Sequence, residues 1–507
     1  MLVLNSVLDW SLATPTKGAL FYRGEWISYS ELWTAIEQAA KHLIALGVRP
    51  SDRVVIYAAN SAEYLVAALG VWRASGIVAT AYHSFTQAEL HYVDQNANPK
   101  LILADRARLP LAKQSMPKAT ALAIEDLRLF RDTEAVLPPL SGMDPDKPAL
   151  ICYTSGTTSQ PKPVTHSHRN LYTGARRSGD IWRLTEDDVA IVVAPLAWLW
   201  GLMSTSLNML VRGGQLIIQE RYRTEDTFDA LVRHEVTVFI GVTTMFVMLK
   251  GYMEALPDRP QLKLRFCISG GEPRNEPAFE AWQRLTGCPV YDSYGSSEIL
   301  TLVTYDPGTD PVPLKGSAGR LVEGVEIRLV DAAGCIVREG NVGTVLARGM
   351  VDMLGYWNEP ELTAAAYSDD GWFRMRDLMR IDADGYAFLQ GRDSDLIIRG
   401  GANISPIEVE SALLAHPAVE EVAVVGQPDA TYGQEIIAVV KFAEGQELSE
   451  DELRHHCSTL ISGYKVPQRF LPVRDFPRNE NGKILKRSLS QIIQRCEVSS
   501  ADPDERT

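Results

Sequence analysis

The chain has 507 residues, of which 46% are hydrophobic and 22% are charged, and its formal net charge is −14. This length exceeds what one hydrophobic core usually supports, so we expect two or more domains of ordinary globular composition. The negative charge argues against binding to nucleic acid or to an anionic membrane surface, because proteins that bind either usually present a basic face. An anionic substrate would therefore need a locally basic site.

The cysteines are widely scattered and none form a Cys-x-x-Cys pair: Cys152, Cys267, Cys288, Cys335, Cys457 and Cys496. This pattern predicts neither a zinc site nor a disulfide framework, and it favours a reducing cytoplasm. The first ten residues lack the positive charge of a signal peptide, so a cytoplasmic location is expected. Residues 189–211 carry no charge, but Pro195, Gly201 and several hydroxyl residues favour a strand, a loop and a buried helix over a membrane span.

Helix and strand signals alternate through the first three hundred residues. Ser28 and Glu31 form a predicted capping box, and the helical spacing after them continues to Gly47. A second helix is predicted from Ser61 to near Gly76. Strands are predicted at 53–58, 100–104, 149–153, 189–194, 215–219, 236–241 and 265–269. This alternation predicts an α/β fold with layered, largely parallel sheets.

The pattern changes after about residue 316, where glycines become dense and short alternating runs such as 325–330 predict a small β-rich subdomain. The polar stretch 391–394 is predicted to be a linker. Beyond it, Ser405 and Glu408 predict a helix start, and Ser449 predicts another. With strands predicted at 421–426 and 436–442, this part reads as a small α+β unit, followed by a disordered tail after Cys496.

Residues 153–162 read YTSGTTSQPK and follow a short apolar run at 149–152. A loop of this kind can place backbone N–H groups, hydroxyls and one ammonium around a polyphosphate. It is not a Walker A loop, because prolines flank Lys162 where that motif has Gly before the lysine and Ser or Thr after it. Taken alone, such a loop is more often a simple turn, so the interpretation needs partners elsewhere.

Further polar segments supply those partners: SGGE at 269–272, DSYGSSE at 292–298, FRMRD at 373–377 and DFPRNENGK at 475–483. In this order, together with GRDSDLIIRGGANISPIEVE at 391–410, they resemble the adenylate-forming superfamily of acyl-CoA synthetases, adenylation domains and luciferases. The resemblance covers nearly the whole chain. It implies a large N-terminal adenylation lobe at 1–392 with two layered α/β sheets and a β-rich subdomain, a hinge at 393–395, and a small mobile α+β lobe at 396–507.

The chemistry of this family explains why such segments are needed. A carboxylate must attack the α-phosphorus of ATP, so cations and N–H donors have to surround the phosphates. The resemblance implies ATP, Mg²⁺ and coenzyme A as cofactors, or a carrier-protein phosphopantetheine in place of coenzyme A. The implied ATP-binding residues are Thr154, Ser155, Gly156, Thr157, Thr158, Lys162, Gly270, Gly271, Glu272, Asp292, Ser293, Tyr294, Gly295, Ser296, Ser297, Asp377 and Arg392.

Within that set the resemblance also implies individual roles. Glu298 and Thr154 would bind magnesium, and Lys483 would be the main catalytic residue, bridging the substrate carboxylate and the α-phosphate. Asp377 and Arg392 would contact the ribose, although either residue alone is more often a solvated surface charge. Gly400 and Gly401, in a strand-like run, would belong to the face used in thioester formation, with a β-bulge as the structural alternative.

Three departures from the family pattern stand out. Ser159 and Pro163 replace glycines around the phosphate loop, and Ser394 occupies the hinge position where Asp or Lys is usual. These departures motivate one alternative function, a nucleotide- or acyl-binding regulator without catalysis. A small polar residue such as Ser394 can still absorb a backbone rotation.

The acyl pocket is predicted from Trp198, Trp200, Ile240 and Gly241. Trp198 stands in PLAWLWG where many relatives have histidine, and no acidic residue occurs between 188 and 220 to pair with an α-ammonium group. An apolar pocket of limited volume favours a small aromatic or short- to medium-chain acid, unless the tryptophans only fill the core. The predicted function is an ATP-dependent carboxylic acid:CoA ligase. The main alternative function is that of a free-standing adenylation enzyme that loads an acyl carrier protein. The sequence leaves the oligomeric state open, with a homodimer as one option.

Overall fold

The computed structural model describes residues 1–128, 134–154, 160–349, 351–400, 402–429, 431–478, 484–486, 488–489 and 493. The helices are α1 (Val3–Ala13), α2 (Tyr29–Ala45), α3 (Ala62–Arg73), α4 (Gln87–Ala97), α5 (Leu109–Ser115), α6 (His168–Ile181), α7 (Asn208–Arg212), α8 (Thr224–Arg233), α9 (Thr243–Ala255), α10 (Glu276–Thr286), α11 (Pro360–Ala366), α12 (Pro406–Leu414) and α13 (Glu450–Leu460).

The strands of the large N-terminal part are β1 (Gly18–Tyr22), β2 (Glu25–Ser28), β3 (Arg53–Tyr57), β4 (Ile77–Ala81), β5 (Leu101–Ala104), β6 (Thr120–Ala123), β7 (Pro148–Thr154), β8 (Lys162–Ser167), β9 (Val189–Val192), β10 (Gln215–Ile218), β11 (Val238–Gly241), β12 (Phe266–Gly270), β13 (Val290–Ser296), β14 (Leu300–Thr304), β15 (Gly319–Leu321), β16 (Glu326–Val330), β17 (Gly343–Arg348), β18 (Gly355–Tyr356), β19 (Phe373–Ile381) and β20 (Tyr386–Arg392). The remaining strands are β21 (Ile397–Arg399), β22 (Ala402–Ile404), β23 (Val419–Asp429), β24 (Gly433–Phe442) and β25 (Arg469–Pro472).

Local sequence signals explain where several helices begin. The Ser28 side chain accepts a hydrogen bond from the Glu31 N–H, and the Glu31 carboxylate accepts one from the Ser28 N–H at 2.8 Å, so the predicted capping box is confirmed. Ser449 and Glu452 repeat the arrangement at the start of α13. Ser405 caps α12, where Pro406 occupies the first turn.

Two sheets organise the N-terminal part. One runs in the order β18-β8-β7-β4-β3-β5-β6, and the other in the order β16-β17-β19-β20-β15-β14-β13-β12-β11-β9-β10-β1-β2. The run β13-β12-β11-β9-β10-β1 is parallel, whereas the strands from β14 to β20 pair antiparallel. The glycine-rich region after residue 316 therefore extends one edge of the long sheet, and the α/β prediction is confirmed.

The uncharged segment 189–211 forms β9, a loop, a π-helix at Trp200–Leu207 and the start of α7. The Thr205 and Ser206 hydroxyls donate to the carbonyls of Trp200 and Gly201, five residues earlier, in keeping with the wider π-turn. A Cβ at Gly201 would lie 2.4 Å from the Pro195 carbonyl oxygen, so the tight turn requires glycine. None of the helices in the described residues is long and apolar enough to cross a membrane.

The C-terminal part has its own apolar core. Ile397, Val409, Leu413, Val424 and Ile436 pack together between α12, α13 and the three-stranded sheet β23-β24-β25. A separate core is the mark of a separate domain.

Two details of the sequence prediction around this junction are wrong. The predicted linker at 391–394 begins too early, because Gly391 and Arg392 are the last residues of β20 and only Asp393–Asp395 form a short 3₁₀ turn. Gly400, expected in a strand, lies in the turn of the β21–β22 hairpin with φ +56°, a conformation that glycine tolerates best. Gly401 and the tail after Cys496 lie outside the described residues.

Candidate active site

The predicted phosphate loop joins two paired strands. Thr154 ends β7, Lys162 begins β8, and the two residues are register partners across the antiparallel pair. The loop therefore leaves and re-enters the sheet at one point. The predicted loop residues Ser155, Gly156, Thr157, Thr158 and Ser159 lie outside the described residues.

Tyr356, which the sequence analysis did not single out, connects Lys162 with Glu298. Strand β18 pairs with β8, which brings the Tyr356 ring under the Lys162 ammonium at 5.6 Å from the ring centroid. The Tyr356 hydroxyl donates to Glu298 Oε1 at 2.8 Å. The structure thus brings Thr154, Lys162 and Glu298 together, although they come from distant parts of the sequence.

The turn that carries Glu298 is fixed from two further sides. His166, fully buried on β8, donates its Nε2–H to the Ser297 carbonyl at 2.6 Å. Burial lowers the pKa of His166, so its ring is neutral near neutral pH and keeps one N–H for this bond. The Met353 N–H donates to the Glu298 carbonyl at 2.7 Å. No pattern in the sequence singles out His166, because Thr165 and Ser167 beside it are also polar and buried.

The SGGE and DSYGSSE segments lie side by side. Strands β12 and β13 are parallel, with Ser269 opposite Asp292 and Gly270 opposite Ser293. Glu272 follows β12 and accepts hydrogen bonds from the Thr244 N–H at 2.8 Å and from its hydroxyl at 3.0 Å. The carboxyl ends of parallel strands are where α/β proteins usually bind ligands.

Behind this edge lies a buried pair, Asp292 and Arg274. The sequence analysis names Asp292 but not its partner. Asp292 is 4% exposed, and burial raises its pKa to about 7, against the opposing effect of the Arg274 guanidinium at 3.7 Å. Arg274 also pairs with Glu276 at 2.7 Å. The Asp292 side chain therefore lies in the protein interior, beside Arg274.

Asp377, the predicted ribose ligand, lies next to Tyr294. The Tyr294 hydroxyl donates to Asp377 Oδ2 at 2.7 Å, and Arg392 Nε donates to Oδ1 at 3.2 Å. Asp377 and Arg392 are register partners on β19 and β20. Because Tyr294 and Glu298 belong to one short segment, that segment contacts both the Asp377 group and the Lys162 group, and we call the region bounded by these groups the candidate cleft.

The predicted acyl-pocket tryptophans pack on the glycines at the end of β12. Trp200 Nε1 donates to the Gly241 carbonyl at 3.0 Å, and a Cβ at Gly270 would lie 2.6 Å from Cη2 of Trp200. A Cβ at Gly271, where φ is +79°, would lie 3.1 Å from the Trp198 ring. Ile240 is fully buried beside Gly241 on β11. These glycines are needed because the indoles occupy the space where side chains would be.

The C-terminal part touches the cleft through Arg478. Its Nη1 donates to the Thr244 hydroxyl at 3.4 Å, and its Nη2 pairs with Glu421. Arg478 and Ile484 form an antiparallel bridge, so the two ends of the segment that includes Lys483 lie close together near Thr244. Lys483 itself lies outside the described residues, and the side chain of Ser394 is not described.

Two family models match the sequence. The model described as "AMP-binding enzyme" matches residues 8–357, and the one described as "AMP-binding enzyme C-terminal domain" matches residues 408–483. The chain belongs to the AMP-binding enzyme family.

Among its relatives in this family, the mitochondrial malonate–CoA ligase of Homo sapiens is 31% identical over 91% of this chain and 87% of its own length. Oxalate–CoA ligase of Arabidopsis thaliana is 30% identical over 94% and 96%, and sulfoacetate–CoA ligase of Cupriavidus necator is 32% identical over 92% of each chain. ATP-bound MatB from Rhodopseudomonas palustris aligns with a TM-score of 0.89 at 30% identity, covering 97% of this chain and 99% of MatB.

This AMP-binding enzyme is an AMP-forming acid–CoA ligase that uses ATP, Mg²⁺ and coenzyme A, which confirms those parts of the sequence prediction. In the described residues no group of three or more His, Cys, Asp or Glu side chains could hold a metal ion. Mg²⁺ needs no such group, because it commonly binds one or two carboxylates, water and substrate phosphates. The Glu298 carboxylate and the Thr154 hydroxyl are oxygen donors of that kind, so the residues present fit the ion.

Proposed function

We propose that this ligase activates a short carboxylic acid with an uncharged tail, in two half-reactions. First, a carboxylate oxygen bonds to the α-phosphorus of ATP, and the bond to pyrophosphate breaks. Second, the thiol of coenzyme A loses its proton to solvent as its sulfur attacks the acyl carbon, and AMP leaves with the electrons of the broken C–O bond. The products are the acyl-CoA thioester, AMP and pyrophosphate.

The proposed ATP site spans the cleft described above. Thr154, Lys162 and Glu298 would take the phosphate end, with magnesium at Glu298 and Thr154. Asp377 and Arg392 would hold the ribose, and the segments 270–272 and 292–295 would line the adenine. The contacts made by Tyr356 and Tyr294 support this assignment, because they link motifs that are distant in the sequence.

We further propose a domain boundary at 393–395 and a rotation about Ser394 between the two half-reactions. Lys483 would serve the first step, and the Gly400–Gly401 face would serve the second. The contact between Arg478 and Thr244 supports the first orientation, because the flanks of the Lys483 segment then lie beside the proposed adenylation site. The small domain would rotate as one unit, together with its internal ion pairs, such as Lys465–Glu408 at 2.6 Å.

The proposed class of acid rests on one observation: the indoles of Trp200 and Trp198 pack on Gly270 and Gly271. The Trp200 indole is also held by its bond to Gly241 and by edge contact with Trp182 at 6.4 Å. A long or branched acyl tail would have to displace Trp200 and leave its N–H without a partner, which costs binding energy. The wall therefore favours acids at the short end of the predicted range.

Small dianionic acids are a second candidate class, because relatives are named for malonate, oxalate and sulfoacetate. A second anionic group desolvated in the pocket would need a cation beside it. The residues proposed to line the tail, Trp198, Trp200, Ile240 and Gly241, are uncharged. For this reason we propose monoanionic acids, rather than dianionic acids, as the substrate class.

A pyrophosphate-release screen tests the proposal. It should compare acetate, propionate and butyrate with benzoate, indoleacetate and octanoate, and with malonate, oxalate and sulfoacetate. We expect the highest kcat/KM among the first three acids. Turnover of a dianion or an aromatic acid alone would contradict the proposed class. Offering coenzyme A and a pantetheinylated carrier protein in parallel tests the acceptor, and coenzyme A should be used.

Replacing Trp200 with alanine should change the preferred acid. We expect kcat/KM for octanoate to rise relative to that for propionate by about 10- to 200-fold, the range that apolar pockets reach when substrates differ in size. Trp26→Ala is the matched control, because Trp26 is half-exposed on strand β2 at the edge of the sheet. An unchanged chain-length profile in Trp200→Ala would exclude the indole as the limit on tail length.

A further inference from the structure

Tyr356 lies between two opposite charges of the proposed nucleotide site. Its ring faces the Lys162 ammonium, and its hydroxyl bonds to one oxygen of Glu298. Among the described residues, the Lys162 ammonium makes no hydrogen bond and no ion pair. The Glu298 carboxylate makes no ion pair there either. Both charges therefore contact the same tyrosine, and they form no ion pair with each other.

The tyrosine is held firmly in that place. It is 5% exposed, its backbone pairs with Val164 on β8, and its N–H donates to the Thr363 hydroxyl at 2.9 Å. Gly355, with φ +125°, packs against Thr363 and permits the approach. Strand pairing therefore fixes the backbone of Tyr356, and the ring is buried in the surrounding apolar cluster.

The two contacts have different consequences. An ion pair between Lys162 and Glu298 would occupy the ammonium needed by phosphate and the carboxylate needed by metal. The hydroxyl bond uses Oε1 and fixes the rotation of the carboxylate, as partners of metal ligands commonly do. The ring attracts the ammonium without removing its charge.

We propose that Tyr356 is a positioning residue that keeps Lys162 and Glu298 separated and ready for magnesium–ATP. The inference rests on the proposed nucleotide site. The hydroxyl acts on the metal through Glu298, and the ring acts on the phosphates through Lys162. Removing the hydroxyl and removing the ring should therefore have separable effects.

Two variants separate them when ATP binding is measured by calorimetry without acid, once with Mg²⁺ and once with EDTA. Tyr356→Phe keeps the ring, so affinity for magnesium–ATP should fall by about 10-fold while affinity for metal-free ATP changes little. Tyr356→Leu loses both contacts, so affinity for metal-free ATP should also fall, by about 2- to 30-fold. A merely structural role would weaken both forms of ATP equally.

The matched control is Tyr22→Phe. The Tyr22 hydroxyl donates to Glu220 at 2.9 Å at an exposed site, so the variant removes the same type of bond away from the candidate cleft and should leave both affinities unchanged. In a Glu298→Gln background, Tyr356→Phe should alter magnesium–ATP affinity by less than about 2-fold, because the two act as a unit.

Three results would overturn the inference: equal losses for both forms of ATP in Tyr356→Phe, no loss at all, or full additivity with Glu298→Gln. Far-ultraviolet circular dichroism checks folding, and a misfolded Tyr356→Phe would itself count against a purely positional role. Failure of the proposed function would look different, because the wild type would then bind no ATP or release no pyrophosphate with any acid.

Discussion

Replacing Lys483 with alanine should lower the rate of acyl-adenylate formation by about 100- to 1,000-fold, the usual effect of removing one group that stabilises transition-state charge. The resemblance to adenylate-forming enzymes implies that this ammonium would bridge the acid carboxylate and the α-phosphate, where negative charges meet. A mobile lysine can supply a point charge there in the first half-reaction only. Thioester formation from pre-made acyl-AMP should therefore be nearly unchanged. Acid-dependent pyrophosphate exchange measures the first step, and release of AMP from synthetic acyl-AMP with coenzyme A measures the second.

Lys315→Ala is the matched control for this experiment. Lys315 is a surface lysine paired with Glu280 at 3.0 Å, so its removal deletes one positive charge without touching the cleft. Both half-reactions should proceed normally in that variant. An equal loss of both half-reactions in Lys483→Ala would contradict the assigned role, because it would indicate a general effect on folding or on domain placement.

Much of the N-terminal architecture could be predicted because its signals are local. The capping box at Ser28 and Glu31 and the apolar runs of the central strands each depend on a few neighbouring residues. Strand β13 was not predicted as a strand, because residues 292–296 read as a polar loop. Its carboxyl end is polar because it leads into the turn that carries Glu298. The order of strands in the long sheet depends on pairing between distant segments and has no local signal.

The chemistry of the candidate site was easier to predict than its supporting contacts. Glu298, Asp377 and Lys162 lie in motifs with a family resemblance, so each could be named from sequence. Tyr356 and His166 could not, because their importance arises only when β18, β8 and the turn after β13 pack together. The prediction that Gly400 lies in a strand is wrong because a local signal was misleading. The apolar residues before it indicate a strand, but the chain reverses at Gly400 in a hairpin.

Replacing Glu298 with glutamine should lower adenylate formation by about 100- to 1,000-fold, because the proposed magnesium site would lose its charged ligand while the side chain keeps its shape. The amide oxygen can still accept the Tyr356 hydroxyl bond, so the turn held by His166 and Met353 should stay intact. Raising the Mg²⁺ concentration should restore part of the rate, since the missing interaction is with the ion. Pyrophosphate exchange measured against Mg²⁺ concentration checks this, with Glu220→Gln as the control, because Glu220 also accepts a tyrosine hydroxyl bond but lies on the surface after strand β10. A rate loss that is independent of Mg²⁺ concentration, or absent, would remove Glu298 from the metal site.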